Sequence, residues 1–333
     1  MKASTLGAAL GCALITASPL FSTPALATPE TDRALEQVKA LGKRWDGEVN
    51  VKTRDIYVPL HKVSRKDGVT ITRDVSYGAD PRNRLDVVEP IAKPSRPMPV
   101  VIYVHGGGLT GGDKDSPGTP AAGLVYTNVG TYFAHNGMLG IVATYRLLPQ
   151  AKFPNGAEDV AGMVRWAKAN AAAHGGDPDS IFVIGHSAGG TVVGGYLYYQ
   201  AVQAADGPGI AGAVLMSPAV GGERTGPREK VARAYYGDDP KKWVENVPLG
   251  LFETYKGRKV PTLITVAELD PPEIEAPAAD LIARICNRDQ ACPQFVNVRA
   301  HNHISSALSL NTGDETFGSV LLDFIRRTLA QRR

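Results

Sequence analysis

The sequence predicts an α/β protein built on a mostly parallel sheet with helices on both faces. From Pro99 onward, strand and helix patterns alternate, the arrangement that parallel strands with crossover helices require. Several of the strand segments are apolar throughout rather than alternating, as strands covered on both faces must be. One of them, Ile181 to Ile184, stops at Gly185-His186-Ser187-Ala188-Gly189 and is followed by a helix-compatible run from Thr191 to Gln200.

Taken in order, Met1-Lys2, the apolar run Leu6 to Ile15 and Ala25-Leu26-Ala27 have the layout of an export signal with its cleavage site, over residues 1–27. That apolar run is too short for a membrane span, which takes about 20 residues. Residues 28–65 are polar and mixed and form an irregular or helical lead-in. The main domain is expected over residues 66–333. Val69 to Val75 alternates at period two and reads as a strand, Gly78 to Asn83 as a turn, and Leu85 to Val88 as a second strand. Val100 to Val104 and Leu139 to Thr144 are buried-type strands. Glu158 to Ala173 places Val160, Met163, Val164, Ala167 and Ala171 on one helical face, with Gly175-Gly176 as its stop. Ile210 to Met216, Thr262 to Val266 and Phe295 to Arg299 complete the strands, and Glu315 to Leu329 forms a closing helix. Between Met216 and Thr262 the chain makes an excursion longer than one crossover, read as a small cap-like insertion over about 219–259.

Composition narrows the function classes. With 43% hydrophobic residues, 21% charged residues and a net charge of +3, the chain has no basic run that would favour nucleic acid. No stable membrane span is expected, and the protein is expected to be exported, periplasmic or secreted. In that oxidising setting Cys286 and Cys292, six residues apart, are expected to close a short structural disulfide. No nearby ligands have metal-site spacing. The sequence does not disclose an oligomeric state.

The chemistry-bearing residues cluster at predicted strand ends, where open α/β sheets place their sites. A serine at the apex of a strand–turn–helix needs small neighbours, which Gly185 and Gly189 supply, and its Oγ then faces a helix N-terminus that favours developing negative charge. Acyl transfer by Ser187 needs a base, a group to orient that base and donors for an oxyanion. His105-Gly106-Gly107-Gly108, directly after a strand, offers backbone N–H groups free of Cβ interference. Asp270, at the end of the Thr262 strand, is the favoured acid, with Glu268 and Glu273 as competitors. The base is His303 or His301, with His303 favoured. The chain order Ser, Asp, His is the one such hydrolases use.

Four segments then stand in a familiar order: His105 to Gly108, Tyr145 to Pro149 with Phe153-Pro154 and Glu158-Asp159, Gly176-Asp177-Pro178, and Gly185 to Gly190. From about Val69 to the C-terminus the chain resembles the α/β-hydrolase carboxylesterases, in the branch similar to hormone-sensitive lipase and the acetyl-esterase-like enzymes. That resemblance implies an α/β-hydrolase fold, with Ser187 as nucleophile, His303 as general base and acid, and Asp270 as its orienting partner. It also implies the N–H groups of Gly107, Gly108 and Ala188 as oxyanion donors, and Arg146 with Asp159 as a structural ion pair. The implied reaction is hydrolysis of a small-molecule carboxylic ester of short-to-medium acyl chain, with no metal or organic cofactor. An amidase, arylformamidase or peptidase would use the same residues. A lipase lid is disfavoured by the charge between Glu223 and Lys259, and a non-catalytic binding protein by the presence of every triad member. Two positions depart from the branch: His186, where Asp is frequent, and Leu109, where a larger aromatic is common.

Overall fold

The computed structural model describes residues 28–221 and 228–332. The expected export signal over 1–27 lies outside the described residues, as does Glu223 in the excursion. Eight strands form one sheet: β1 (Val69–Ser76), β2 (Arg84–Pro90), β3 (Met98–Val104), β4 (Leu139–Ala143), β5 (Gly176–His186), β6 (Gly212–Met216), β7 (Thr262–Ala267) and β8 (Gln294–Val298), in the order β1-β2-β4-β3-β5-β6-β7-β8. The pairs β1–β2 and β2–β4 are antiparallel and all others are parallel. This is the α/β-hydrolase fold.

The helices are α1 (Pro29–Ala40), α2 (Gly47–Val63), α3 (Thr127–His135), α4 (Asn155–Asn170), α5 (Ala188–Tyr198), α6 (Glu229–Tyr236), α7 (Pro240–Asn246), α8 (Pro248–Thr254), α9 (Pro272–Asp289), α10 (Ser305–Ser309) and α11 (Glu315–Ala330). Strand side chains alternate between two cores. Val100, Ile102, Val104, Ile181 and Val183 pack with α4, α5 and α9 on one face. Val101, Tyr103, Phe182, Ile184 and Val214 pack with α2, α3 and α11 on the other. Burial on both faces is the physical reason the central strands carry continuous apolar runs.

The lead-in is helical. Thr28 and Asp46 cap α1 and α2, each side chain accepting a hydrogen bond from a first-turn N–H. The fourth helix ends at Asn170, three residues before the expected Ala173, because Ala171–His174 tightens into a 3-10 turn that Gly175 closes at φ +78°. β5 in turn begins at Gly176 rather than Ile181, since Gly176 pairs with Met98 at the start of β3, and the ladder resumes after an irregularity with Ile181 opposite Val100. Cys286 and Cys292 are joined by a disulfide at the C-terminal end of α9. Among the described residues no helix is long and apolar enough to cross a membrane.

Candidate active site

Parallel register brings the C-terminal ends of the central strands to one edge. Val104 of β3 lies opposite Gly185 of β5, and His186 opposite Met216 of β6. The segments that leave β3, β5, β6, β7 and β8 therefore meet above that edge. They carry the glycine run, Ser187, Ser217, Asp270 and His303 respectively.

Ser187 has φ +54° and ψ −118°, a conformation that non-glycine residues rarely adopt. It is held there by surrounding backbone: its N–H donates to the Met216 carbonyl at 2.9 Å, and its own carbonyl accepts from Ala219 N–H at 3.2 Å. The neighbours must be small. A Cβ at Gly185 would lie 2.7 Å from the Gly189 carbonyl carbon, and one at Gly106 would lie 3.0 Å from Ser187 Cβ.

Ser187, His303 and Asp270 form one hydrogen-bonded chain. His303 Nε2 is 2.8 Å from Ser187 Oγ, and His303 Nδ1 is 2.7 Å from Asp270 Oδ1. The other Asp270 oxygen accepts from Ser217 Oγ at 2.6 Å and from Ala267 N–H at 2.8 Å. Burial alone would raise the Asp270 pKa, but the His303 ring, the Ser217 hydroxyl and the Ala267 N–H together hold it below the ordinary carboxylate value. The carboxylate is thus ionised and fixed in direction, and orients the His303 ring with Nδ1 toward Asp270 and Nε2 toward Ser187 Oγ.

The competing residues are engaged elsewhere. His301 is fully buried, with Nδ1 3.0 Å from Ser305 Oγ and Nε2 3.5 Å from Asp314. Glu268 accepts from Ala300 N–H at 2.6 Å, and Glu273 faces Arg228 at 3.8 Å.

Gly107 (φ +131°) and Gly108 (φ +63°) both occupy backbone regions that favour glycine. Among the described residues, the N–H groups of Gly107, Gly108 and Ala188 donate to no other protein group. All three residues line the same cavity as Ser187. His105 is buried beneath the loop and stacks on Tyr145, with Nδ1 2.6 Å from the Gly106 carbonyl oxygen. Burial lowers the pKa of this imidazole to about 4, so it stays neutral and its Nδ1–H donates to that carbonyl.

Three contributors were not foreseen from the sequence. Ser217 is one, and nothing in its spacing marks it. His186 is another: it is buried, and its Nε2–H donates to the His303 carbonyl oxygen at 2.6 Å. Burial, and then the neighbouring His303, push its pKa down to about 3, so it serves as a neutral brace for the His303 backbone. Trp45, between α1 and α2, is the third, its ring centroid 4.8 Å from that of His303. A tryptophan beside a polar turn in a lead-in segment was the available signal.

The cavity over Ser187 has a volume of about 880 Å³. Leu109, Leu147, Val231, Ala232 and Tyr236 supply an apolar wall, and residues of α2 and of the loop after the glycine run supply a polar one. Leu109 holds φ +63° and its carbonyl accepts from Leu148 N–H at 2.9 Å. Behind the site, Arg146 Nε donates to Asp159 at 2.8 Å, tying the segment after β4 to α4.

Fold and geometry together define an α/β hydrolase with a preassembled serine site. The family model described as alpha/beta hydrolase fold matches residues 101–278, more than half of the chain, and the chain belongs to that family, in its hormone-sensitive-lipase and acetyl-esterase-like branch. A probable isoprenylcysteine alpha-carbonyl methylesterase of Oryza sativa subsp. japonica is 33% identical over 144 residues, 43% of this chain and 32% of that protein. Carboxylesterase NlhH of Mycobacterium tuberculosis is 40% identical over 98 residues, 28% of this chain and 27% of that one. The matches thus span about a third or less of these relatives' length. Among solved structures, esterase B from Lactobacillus rhamnosis superimposes with a TM-score of 0.66 at 19% identity, over 90% of this chain and 96% of that one. An esterase from the bacterial hormone-sensitive lipase family gives 0.63 at 21% identity, over 91% and 99%. These structural likenesses concern the fold.

Proposed function

We propose that the protein is an exported serine carboxylesterase that hydrolyses short-to-medium acyl esters through an acyl-enzyme. The observation that carries this reading is the hydrogen-bonded chain Ser187–His303–Asp270, at 2.8 and 2.7 Å, at the floor of an open cavity. The names of the curated relatives support an ester as substrate.

Ser187 Oγ attacks the ester carbonyl carbon as His303 Nε2 takes its proton, and the imidazolium so formed is stabilised by ionised Asp270. The carbonyl oxygen becomes an oxyanion and accepts from the N–H groups of Gly107, Gly108 and Ala188. The alcohol leaves with the proton from His303. Water then attacks the acyl-enzyme, again deprotonated by His303, and the carboxylic acid is released as Ser187 regains its proton. The apolar wall of Leu109, Leu147 and Tyr236 suits a short-to-medium aliphatic group. Within the excursion α6 acts as a small cap, since its Val231, Ala232 and Tyr236 line the cavity. Export is supported by the layout of residues 1–27 and by the Cys286–Cys292 bond.

The test is hydrolysis of a short-to-long series of p-nitrophenyl acyl esters by wild type and by Ser187→Ala. Turnover of the short esters, lost in the variant, is expected. Activity that survived in Ser187→Ala would overturn the mechanism. Turnover of amides but not of esters would replace the esterase reading with an amidase one.

A further inference from the structure

The cavity above Ser187 carries a charge that hydrolysis of a neutral ester does not use. Three arginines line it, Arg54, Arg82 and Arg228, together with Asp113 and Glu273. Arg82 lies 3.6 Å from Asp113 and also donates to the carbonyls of Tyr145 and Gly112. Arg228 lies 3.8 Å from Glu273. Arg54 alone of the three has no carboxylate within 4.0 Å among the described residues. Its Nε donates to Asn50 Oδ1 at 3.0 Å and its Nη1 to Ser116 Oγ at 3.4 Å. Both partners are neutral, so they orient the guanidinium without cancelling its charge.

The arrangement is built rather than incidental. Arg54 is half-buried, and the helix that carries it is pinned through the buried side chains of Thr53 and Tyr57. Asn302 donates to Thr53 Oγ1 at 2.8 Å, and Tyr57 donates to Asp314 at 3.4 Å. An unpaired cation near the site also works against the mechanism, because His303 must become an imidazolium in the transition state. The buried imidazole of His186 feels this: burial first, then His303, and to a smaller degree Arg54, disfavour its protonation. A substrate that brings its own negative charge removes that cost. The guanidinium keeps N–H donors beyond the two it uses on Asn50 and Ser116, in the planar fork that matches a carboxylate.

We propose that the substrate is an ester bearing a carboxylate on its acyl or alcohol part, and that Arg54 is the residue that selects it. The proposal rests on the esterase reading given above and adds the substrate class. Asn50 and Ser116 are positioning residues for the guanidinium.

Two pairs of near-isosteric esters test it. In the first, p-acetoxybenzoate and p-acetoxybenzamide, the charge is on the leaving alcohol. In the second, the p-nitrophenyl monoesters of adipic acid and of adipamic acid, it is on the acyl chain. In at least one pair, wild type is expected to favour the charged member in kcat/KM by about 10- to 100-fold, the range of a charge-assisted contact. Added salt should shrink that ratio. Arg54→Gln should bring it close to unity and Arg54→Lys should restore part of it. Because the readout is a ratio within each variant, a general loss of fold or activity cancels. Turnover of the neutral esters with no preference for charge in either pair overturns the proposal alone, as does a preference that persists in Arg54→Gln. Absence of turnover on all four esters overturns the esterase reading and the proposal with it.

Discussion

Helix α5 contains two glycines whose replacement by alanine should have opposite consequences, and the contrast tests the geometry of the site. Gly189 sits where the helix meets the end of β3. A Cβ there would lie 2.7 Å from the His105 carbonyl oxygen and closer still to that of Val104, distances that real Cβ atoms essentially never show. Both obstacles are backbone, so relief requires the start of α5 to move away from the strand that leads into the glycine run. A shift of about 1 Å between nucleophile and oxyanion donors costs on the order of 100-fold in rate, and overpacking costs about 1–3 kcal/mol of stability. At Gly195 a Cβ would meet only the Ala157 Cβ, at an ordinary 3.4 Å, and alanine in a helix interior gains roughly 0.5–1 kcal/mol over glycine. Gly189→Ala is therefore expected to lose about 100-fold in kcat while remaining folded by circular dichroism, and Gly195→Ala to keep wild-type kcat with an equal or higher melting temperature. Wild-type kcat in Gly189→Ala would refute the claim that close backbone approach fixes the relation of Ser187 to the oxyanion donors.

Two further outcomes are expected. Trp45→Ala should lower kcat by about 3- to 10-fold, the worth of one aromatic pair, because it removes the ring packed on His303; Trp45→Phe should recover most of it, which steady-state kinetics on one neutral ester would read. Stability should also fall in mild acid. Burial lowers the His61 pKa to about 4, whereas in the unfolded chain it titrates near its ordinary value of about 6.5. Between those values the unfolded state binds more protons than the folded one, so stability rises with pH there and is lost as pH falls from about 6.5 toward about 4. His61 accounts for roughly 2 kcal/mol of that loss at about pH 5. Urea melts of wild type and His61→Leu at about pH 7.5 and about pH 5 would check this; an equal loss in both proteins would contradict it.

The legible parts of the fold were those whose local pattern and tertiary role coincide. β3, β5, β6 and β7 are buried on both faces, and their apolar runs say so. The third helix, Thr127–His135, was not legible because Thr127 through Ala134 are all buried, which leaves no polar face to set a helical period. The early start of β5 was hidden by Asp177-Pro178-Asp179-Ser180, a polar stretch across which the ladder to β3 is irregular, between Gly176 opposite Met98 and Ile181 opposite Val100. At the site, the order of Ser187, Asp270 and His303 and the triple glycine were readable as a pattern. The choice between His301 and His303 was not, since it depends on which ring faces the cavity and which faces Asp314. Ser217 and His186 act through contacts between strand ends that only the parallel register creates.

Helix α2 shows why so much of the site escaped a linear reading. Its inward residues Thr53, Tyr57 and His61 recur every fourth position and are buried, but they are polar, so the stripe that marks a packed helix face is muted. Two of them hold the chain on either side of α10: Thr53 meets Asn302, next to His303, and Tyr57 meets Asp314, which also caps α11 through Thr316 N–H at 3.0 Å. The turn before the helix supplies Trp45 against His303, and its next face supplies Arg54 to the cavity. The region shared with the family model, residues 101–278, holds the glycine run, Ser187 and Asp270. Trp45, Arg54 and His303 lie outside it. In the proposed mechanism the nucleophile, the acid and the oxyanion donors thus fall within the family-model region, while the base, the Trp45 ring packed on it and the Arg54 wall of the cavity fall outside it. Under the proposal above, substrate choice falls to Arg54 on that wall, so a charged ester series tests it more directly than any relative's substrate does.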